Sequence, residues 1–333
     1  MHICLVMAGD EDGGLEKHVV ELANGLVKYG HKVTLIAHEK YQSRVDGVDF
    51  KALDLSKGRR NLILLWQLYH LVKSIRADVL HVHANKAVTM IAPFLTWLKI
   101  PSVATLHNFK RNITAFEKFD RVIAVSQRVA NQFSSQQKVR VVFNGVNVPT
   151  NEVSEKKINS KIQALAIGRL VPAKGFDLLI EAWQGISANL IIIGDGPDRD
   201  SLQQQIDLLG LQQNIQLLGH RSDVNELLCK SDILVISSRN EGGPYTLSEA
   251  LLSNRPVIST NVGMVSEILP IDFICPTQDV SALHNLIEKH LSNFKDLQRS
   301  FKPIYESARQ YLTIDAMLEH TVQVYQELIR GKK

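Results

Sequence analysis

Short apolar runs alternate with longer stretches of helical period along nearly the whole chain. In the first half they are Ile3–Ala8, Val33–Ala37, Val79–His83, Ser102–His107, Arg121–Val125 and Val139–Phe143; in the second, Ile162–Gly168, Leu190–Gly194, Ile215–Leu218, Ile233–Ser237 and Val257–Thr260. Continuous apolar strands separated by helices predict parallel sheets covered on both faces. Between the halves, Asn147–Ser160 turns polar and loses its period, which reads as a linker. The pattern therefore predicts an α/β chain of two Rossmann-like, doubly wound domains with a cleft between them. Residues 1–147 form the first, 148–160 the linker and 161–310 the second. Residues 311–333 form a C-terminal helix free to pack back toward the N-terminal domain.

One helical stretch, about Arg59 to Arg76, carries two apolar stripes, Leu62/Leu65/Trp66/Tyr69/Val72 and Leu64/Leu68/Leu71/Ile75. So wide an apolar surface implies burial on more than one side. The competing reading is a membrane-facing helix led by Lys57, Arg59 and Arg60.

With 333 residues, 45% apolar and 22% charged, the chain has material for two domain cores and no signature of disorder. Its three cysteines, Cys4, Cys229 and Cys275, are scattered in apolar surroundings and give neither a disulfide framework nor a metal spacing. The N-terminal run is too short and too weakly basic for a signal peptide, and no stretch reaches membrane-span length, so a cytoplasmic protein is expected. Charge divides unevenly: residues 1–150 hold 20 Lys and Arg against 12 Asp and Glu, whereas residues 151–333 hold 18 against 22. A basic N-terminal half suits an anionic acceptor or peripheral attachment to the inner face of an anionic cytoplasmic membrane; scattered solvated lysines are the alternative.

The segment Glu241-Gly242-Gly243-Pro244-Tyr245-Thr246-Leu247-Ser248-Glu249 follows the apolar run 232–238. A buried strand that ends in a glycine turn and opens a helix presents free N–H groups and a positive dipole end, which suits phosphate. Pro244 fits the first helical position, since it lacks an N–H that would go unused there. Glu249 then sits more than a turn inside the helix while Glu241 stays on the loop. Two carboxylates flanking one anion site match a ligand with a phosphate between two hydroxyl-bearing ends, as in a nucleotide-sugar.

This segment resembles the E-x7-E signature of the family-4 retaining glycosyltransferases, enzymes of the GT-B fold. Further stretches match that family in order: Gly13-Gly14-Leu15-Glu16, Leu22–Val33, His81-Val-His83, Thr105-Leu-His107, Asn144-Gly-Val, Gly168-Arg169-Leu with Lys174-Gly175, Gly194-Asp-Gly-Pro197, and Gly263 with Glu267. The resemblance implies that Arg169 and Lys174 bind the donor diphosphate, a role that a planar fork and a mobile point charge suit chemically. Glu241 would hold donor-sugar hydroxyls, and Glu249 the two ribose hydroxyls. The N–H groups of Tyr245, Thr246 and Leu247 would meet phosphate, with Gly242, Gly243 and Pro244 shaping the turn and Gly168 and Gly194 lining the donor site. His220 and Arg221 resemble the segment whose backbone meets the base; a plain strand-to-helix turn capped by Asp223 is the other reading. Gly13 and Gly14 let backbone approach the donor phosphate or the acceptor, with the donor favoured by the resemblance, and His107 would lie beside the donor sugar. Glu16 and His83 belong to the acceptor side.

Three patterns point elsewhere. His81 and His83 share a face of one strand, as a metal pair would, but no third ligand has matching spacing, so no metal and no cofactor is expected. Asp10-Glu11-Asp12 fits the Asp-x-Asp manganese pattern, yet lies on the first loop, where a solvated acidic turn is the better reading. Gly194-Asp-Gly196-Pro-Asp-Arg199 starts as a dinucleotide fingerprint and puts Arg199 where its third glycine belongs. The expected activity is retaining transfer of a hexose or related sugar from a UDP- or GDP-linked donor to a glycan or lipid-linked acceptor, as in bacterial polysaccharide or lipooligosaccharide synthesis. The rivals are a nucleotide-sugar epimerase, a phosphorylase, and a non-catalytic sugar-nucleotide-binding protein. Nucleic acid is not an expected partner.

Overall fold

Alternate residues of a strand face opposite sides of a sheet, and in the computed structural model of this chain both sides of each parallel sheet are used. The structure describes residues 1–9, 13–56, 58–148 and 161–331. The acidic stretch 10–12, Lys57, and residues 149–160 of the expected linker lie outside the described residues. Contacts divide the chain into two units, Met1–Gly145 with Ile314–Lys333, and Val146–Thr313.

The first unit holds seven parallel strands: β1 (His2–Met7), β2 (Lys32–Ala37), β3 (Asp49–Ala52), β4 (Val79–His83), β5 (Ser102–Leu106), β6 (Arg121–Ala124) and β7 (Val139–Val141). Their order is β3-β2-β1-β4-β5-β6-β7, with Ile3 opposite both Val33 and Val79. Cys4, Val6, Leu80 and Val82 face one side, packing with α2 (Leu62–Ile75) and α3 (Ala84–Ile91) through Leu64, Leu68, Val72, Val88 and Ile91. Ile3, Leu5, Met7 and Val79 face the other, against Val19, Leu22 and Leu26 of α1 (Gly14–Lys28) and Met317, Leu318 and Tyr325 of the C-terminal helix Ile314–Arg330. That helix comes close enough to α1 that a Cβ on Gly25 would fall 2.4 Å from Leu318 Cδ1. The short helices α4 (Leu95–Leu98) and α5 (Gln127–Ala130) complete the α2 side.

The second unit has a six-stranded sheet of β8 (Gln163–Ile167), β9 (Asn189–Ile193), β10 (Ile215–Gly219), β11 (Ile233–Ile236), β12 (Val257–Thr260) and β13 (Ile274–Cys275), ordered β10-β9-β8-β11-β12-β13. Helices α6 (Phe176–Ala182), α7 (Arg199–Leu208), α8 (Val224–Lys230) and α9 (Tyr245–Leu252) connect its strands.

Two strands escaped the sequence pattern, β3 and β13. Both are short and lie at sheet edges, where a strand needs no continuous apolar run. The α2 expectation needs a larger correction. Asn61 caps the helix, its side-chain oxygen accepting the Leu64 N–H at 3.1 Å, and only Leu64, Leu68 and Val72 are buried. Leu62, Ile63 and Trp66 are 79%, 72% and 62% exposed, so the helix is covered on one side rather than on several.

Candidate active site

In each unit the sheet order reverses direction once, between β1 and β4 in the first and between β8 and β11 in the second. At such a switch point the adjacent strands send their connections to opposite faces, leaving a crevice at the carboxyl ends of the strands. Several of the candidate site residues lie just beyond the strands that flank these two points, and His220 and Arg221 lie beyond the edge strand β10.

In the second unit, the chain leaving β8 turns through Pro172–Lys174 and stops at Gly175, whose φ is +65°. A Cβ there would lie 2.3 Å from the Ser237 carbonyl oxygen, so the turn needs glycine both for conformation and for close approach to the segment after β11. That segment is stitched to the turn. The Arg239 N–H donates to the Ala173 carbonyl at 2.8 Å, Ser237 Oγ donates to the Lys174 carbonyl at 3.0 Å, and Arg239 Nη1 donates to the Pro172 carbonyl at 2.8 Å. The Arg239 fork also takes both oxygens of Asp177 at 2.7 and 2.6 Å, and holds that carboxyl below its usual range. The stitching places the Lys174 ammonium in an ion pair with the Glu241 carboxylate, to which Ser238 Oγ also donates at 3.4 Å. Arg169, beside this pair in sequence, is exposed at the β8 end.

Glycines make the surroundings bare backbone. A Cβ on Gly168 would meet the Lys174 stem at 3.0 Å, one on Gly194 would fall 1.8 Å from the Gly168 carbonyl oxygen, and one on Gly263 would fall 2.4 Å from the Gly242 carbonyl oxygen. The Leu170 N–H donates to the Asp195 carbonyl at 2.8 Å, which locks the Gly194–Gly196 loop onto the β8 end. Gly194-Asp-Gly196 thus belongs to the strand-end packing of this sheet. The sequence marked these glycines, but not Ser237, Ser238, Arg239 or Asp177. Their only signal was position, immediately before Glu241 and immediately after Lys174-Gly175-Phe176.

The glycine turn itself departs from expectation in two ways. Pro244 is the N-cap of α9, with ψ 117°, and the helix starts one residue later at Tyr245. The Leu247 N–H donates to the Pro244 carbonyl at 3.2 Å, so it is already engaged within the chain; the first-turn residues Tyr245 and Thr246 remain at the helix start. Gly242 is buried, Gly243 half-buried, and Glu249 lies half-buried on the second turn. His220 and Arg221, after β10, are exposed. Asp223 stands at the N-cap of α8, but its carboxylate accepts the Arg221 fork at 2.7 and 2.6 Å instead of capping the helix.

In the first unit Gly13 caps α1 and Gly14 opens it. Glu16 reaches back, buried, to accept the Gly13 N–H at 3.1 Å, and its carboxylate fills the space beside Gly9, where a Cβ would lie 2.2 Å from Glu16 Oε1. Its place in the structure is thus a helix-capping one. His83 ends β4 and His107 follows β5; their facing ring nitrogens, Nδ1 and Nε2, are 3.4 Å apart. Ala84, next to His83, is held at φ +64°, a strained setting for a residue with a Cβ. His18, from the second turn of α1, completes the group, its ring centroid 4.8 Å from that of His107 and 5.5 Å from that of His83. Sequence spacing could not find His18, because it comes from the helix after β1, whereas His83 ends β4 and His107 follows β5. His81 is engaged otherwise, bonded through Nδ1 to Tyr325 Oη and through Nε2 to Thr105 Oγ1, both at 2.6 Å. Burial pushes the His18 ring down to about 4, and burial reinforced by neighbouring rings lowers His81, His83 and His107 well below the usual histidine range. At neutral pH the group is uncharged.

Comparison with known proteins gives this arrangement its context. Residues 12–149 match the family model for Glycosyltransferase Family 4 and residues 147–305 that for Glycosyl transferases group 1. An uncharacterised glycosyltransferase of Methanocaldococcus jannaschii is 30% identical over 286 residues, 77% of this chain and 78% of that protein. The GPI3 subunit of the Saccharomyces cerevisiae phosphatidylinositol N-acetylglucosaminyltransferase is 25% identical over 368 aligned positions, 94% of this chain and 79% of that one. Among solved structures, Anabaena HepE in complex with UDP has a TM-score of 0.83 at 18% identity, covering 98% of this chain and 100% of that one. The same protein in complex with UDP-glucose has a TM-score of 0.82, also at 18% identity, covering 98% and 99%. The ordered motifs, the two Rossmann-like units and these matches together place the chain in glycosyltransferase family 4, with the GT-B fold.

Proposed function

We propose that this glycosyltransferase moves a hexose or related sugar from a UDP- or GDP-linked donor, with retention of configuration, to a glycan or lipid-linked acceptor of bacterial cell-surface polysaccharide or lipooligosaccharide synthesis. The observation that carries the donor half is the Lys174–Glu241 pair set among bare glycine backbone at the second unit's switch point. There a diphosphate can approach N–H groups without side-chain obstruction, at the start of α9. The UDP and UDP-glucose complexes of HepE support a nucleotide-sugar as the donor class.

In this reading Lys174 exchanges Glu241 for the diphosphate when donor binds, and Arg169 joins it. Both meet charge that grows as the glycosidic bond breaks. Glu241, released, accepts from sugar hydroxyls, while Glu249 accepts from the ribose. Thr246 and Tyr245 present first-turn N–H groups to phosphate, and the Gly219-His220-Arg221 turn meets the base. Gly13 and Gly14 open the first helix of the acceptor half, with His107 beside the sugar and His83 on the acceptor side. The neutral imidazoles there can accept a hydroxyl proton's hydrogen bond. Retention follows from same-face attack, in which the departing phosphate draws the acceptor proton. Arg169 and Lys174 supply the positive charge that a metal supplies in other phosphate chemistry, so transfer proceeds without one.

The acceptor reading draws on the surface around α2. Leu62, Ile63 and Trp66 are exposed next to Arg59 and Arg60, and Trp97 on α4 is 64% exposed. Apolar and aromatic groups beside cations suit an anionic bilayer, and no helix among the described residues is long and apolar enough to cross one. Attachment is then peripheral, at the cytoplasmic face. A donor-hydrolysis assay over a panel of UDP- and GDP-sugars, reading released nucleotide, tests the function. One donor class should stand out, and no release from any of them would overturn the reading.

A further inference from the structure

We propose that His18, His83 and His107 form a binding site for a divalent transition-metal ion of the zinc class. The three residues each offer a ring nitrogen, and those atoms lie within 4.8 Å of one another. Tetrahedral zinc with Zn–N bonds of about 2.0–2.1 Å needs ligand nitrogens about 3.3–3.4 Å apart. The His83 Nδ1 to His107 Nε2 separation, 3.4 Å, meets that requirement already. The ring nitrogens lie within 4.8 Å of one another, so His18 closes the triad by a shift of at most about 1.4 Å.

Two buried atoms sharpen the assignment. His18 Nδ1 and His83 Nε2 meet no partner in hydrogen-bonding geometry among the described residues, although the Asn144 side chain adjoins the His18 ring. Leaving a buried polar atom unsatisfied costs about 1–3 kcal/mol, which a coordinated ion can offset, directly or by fixing the tautomer of the ring. The chemistry of the donors selects the ion. Three neutral imidazoles with no carboxylate in the triad favour zinc, nickel, copper or cobalt over magnesium, manganese or calcium. His18 and His83 are 4% and 0% exposed while His107 is half-buried, so an ion would enter past His107 and keep one position open on that side. The three histidines belong to the first unit and the Lys174–Glu241 pair to the second.

The ion is not a cofactor in this account. It would occupy the lone pairs that the proposed function gives to the sugar side, so zinc should inhibit transfer; this last expectation rests on that function, whereas binding itself does not. The test uses tag-free, full-length protein stripped with chelator and titrated with cobalt(II), followed by visible absorption and zinc competition. One equivalent should bind with the intense bands of four- or five-coordinate cobalt, and zinc should displace it. His18→Ala and His107→Ala should each weaken binding at least about tenfold, with circular dichroism unchanged. His107→Ala is the safer variant, since its ring is half-buried. His70→Ala, on the exposed face of α2, should bind as the wild type does. Uptake of less than a tenth of an equivalent, or cobalt spectra in folded His18→Ala and His107→Ala identical to the wild type, would overturn the site. Because the readout is spectroscopic, it stands apart from a failure of the donor assay.

Discussion

The Lys174 ammonium is held on the Glu241 carboxylate, its partner 67 positions later in the chain. Both side chains are shielded, at 24% and 16% exposure, and Arg239 fixes the backbone that carries them. An ion pair at a strand end is worth little to stability when exposed. Its presence between two loops stapled by separate hydrogen bonds suits a pair that donor binding rearranges.

Removing these charges should affect turnover far more than folding. Lys174→Ala and Arg169→Ala should each lower the rate of nucleotide release by about a hundredfold or more, with thermal melts near the wild type. Arg169→Lys should recover little, because a point charge cannot reproduce the planar fork. Lys174→Ala combined with Glu241→Gln should lose less than the sum of the single losses, since the two residues act on one another. Near-normal turnover in both alanine variants would remove the donor assignment.

Activity should survive chelation. Exhaustive treatment with EDTA is expected to leave nucleotide release unchanged, or higher if zinc had been bound at the histidines. Abolition by chelator and recovery with manganese would show that Arg169 and Lys174 do not carry the diphosphate charge alone.

Two glycines of the second unit, Gly194 after β9 and Gly210 after α7, differ sharply in what a methyl group would cost. Gly194→Ala forces a Cβ to 1.8 Å from a backbone oxygen at φ +142°, whereas Gly210→Ala, at φ +68°, meets nothing within 4 Å. Gly194→Ala should destabilise by more than about 2 kcal/mol, and Gly210→Ala by about 1 kcal/mol. Urea denaturation reads both, and equal midpoints would refute the steric account.

Acid should erase the contribution of the Arg239–Asp177 pair. The Asp177 carboxyl is held below its usual value of 3.8, chiefly by its hydrogen bonds to Arg239. A depressed carboxylate stabilises the fold fully above its unfolded value, and that stabilisation disappears as pH falls through the lower folded value. Asp177→Asn should therefore be less stable than wild type at about pH 7, with the gap closing toward about pH 3. A denaturation gap independent of pH would sink the linkage.

The α2 surface should respond to salt. The protein should sediment with anionic vesicles at low ionic strength and release as salt rises, because surface attraction is screened over about 10 Å at 0.1 M. Arg59→Glu with Arg60→Glu, or Leu62→Ser with Trp66→Ser, should abolish sedimentation while sparing hydrolysis of a soluble donor. Binding that ignores lipid charge, or no binding at all, would leave the patch without a membrane role.

Periodicity alone carried much of the fold. Both parallel sheets were legible because a strand buried on two faces must be apolar at every position, and β4 and β12 have the limits read from the sequence. The glycine turn between β11 and α9 was legible for a different reason, since glycines gather where backbone comes close to backbone, as Gly263 does to Gly242. The edges were less so: β3 and β13 bury too little to leave a pattern. Spacing also failed where partners come from different elements. That Lys174 meets Glu241, that Arg239 staples Asp177, and that α1 brings His18 to His83 and His107 depend on which strands neighbour which in the sheet. Strand order is set by long-range packing, and a local sequence window cannot contain it. The burial of α2 was decided the same way: its composition permitted cover on several sides, but only one side found a sheet.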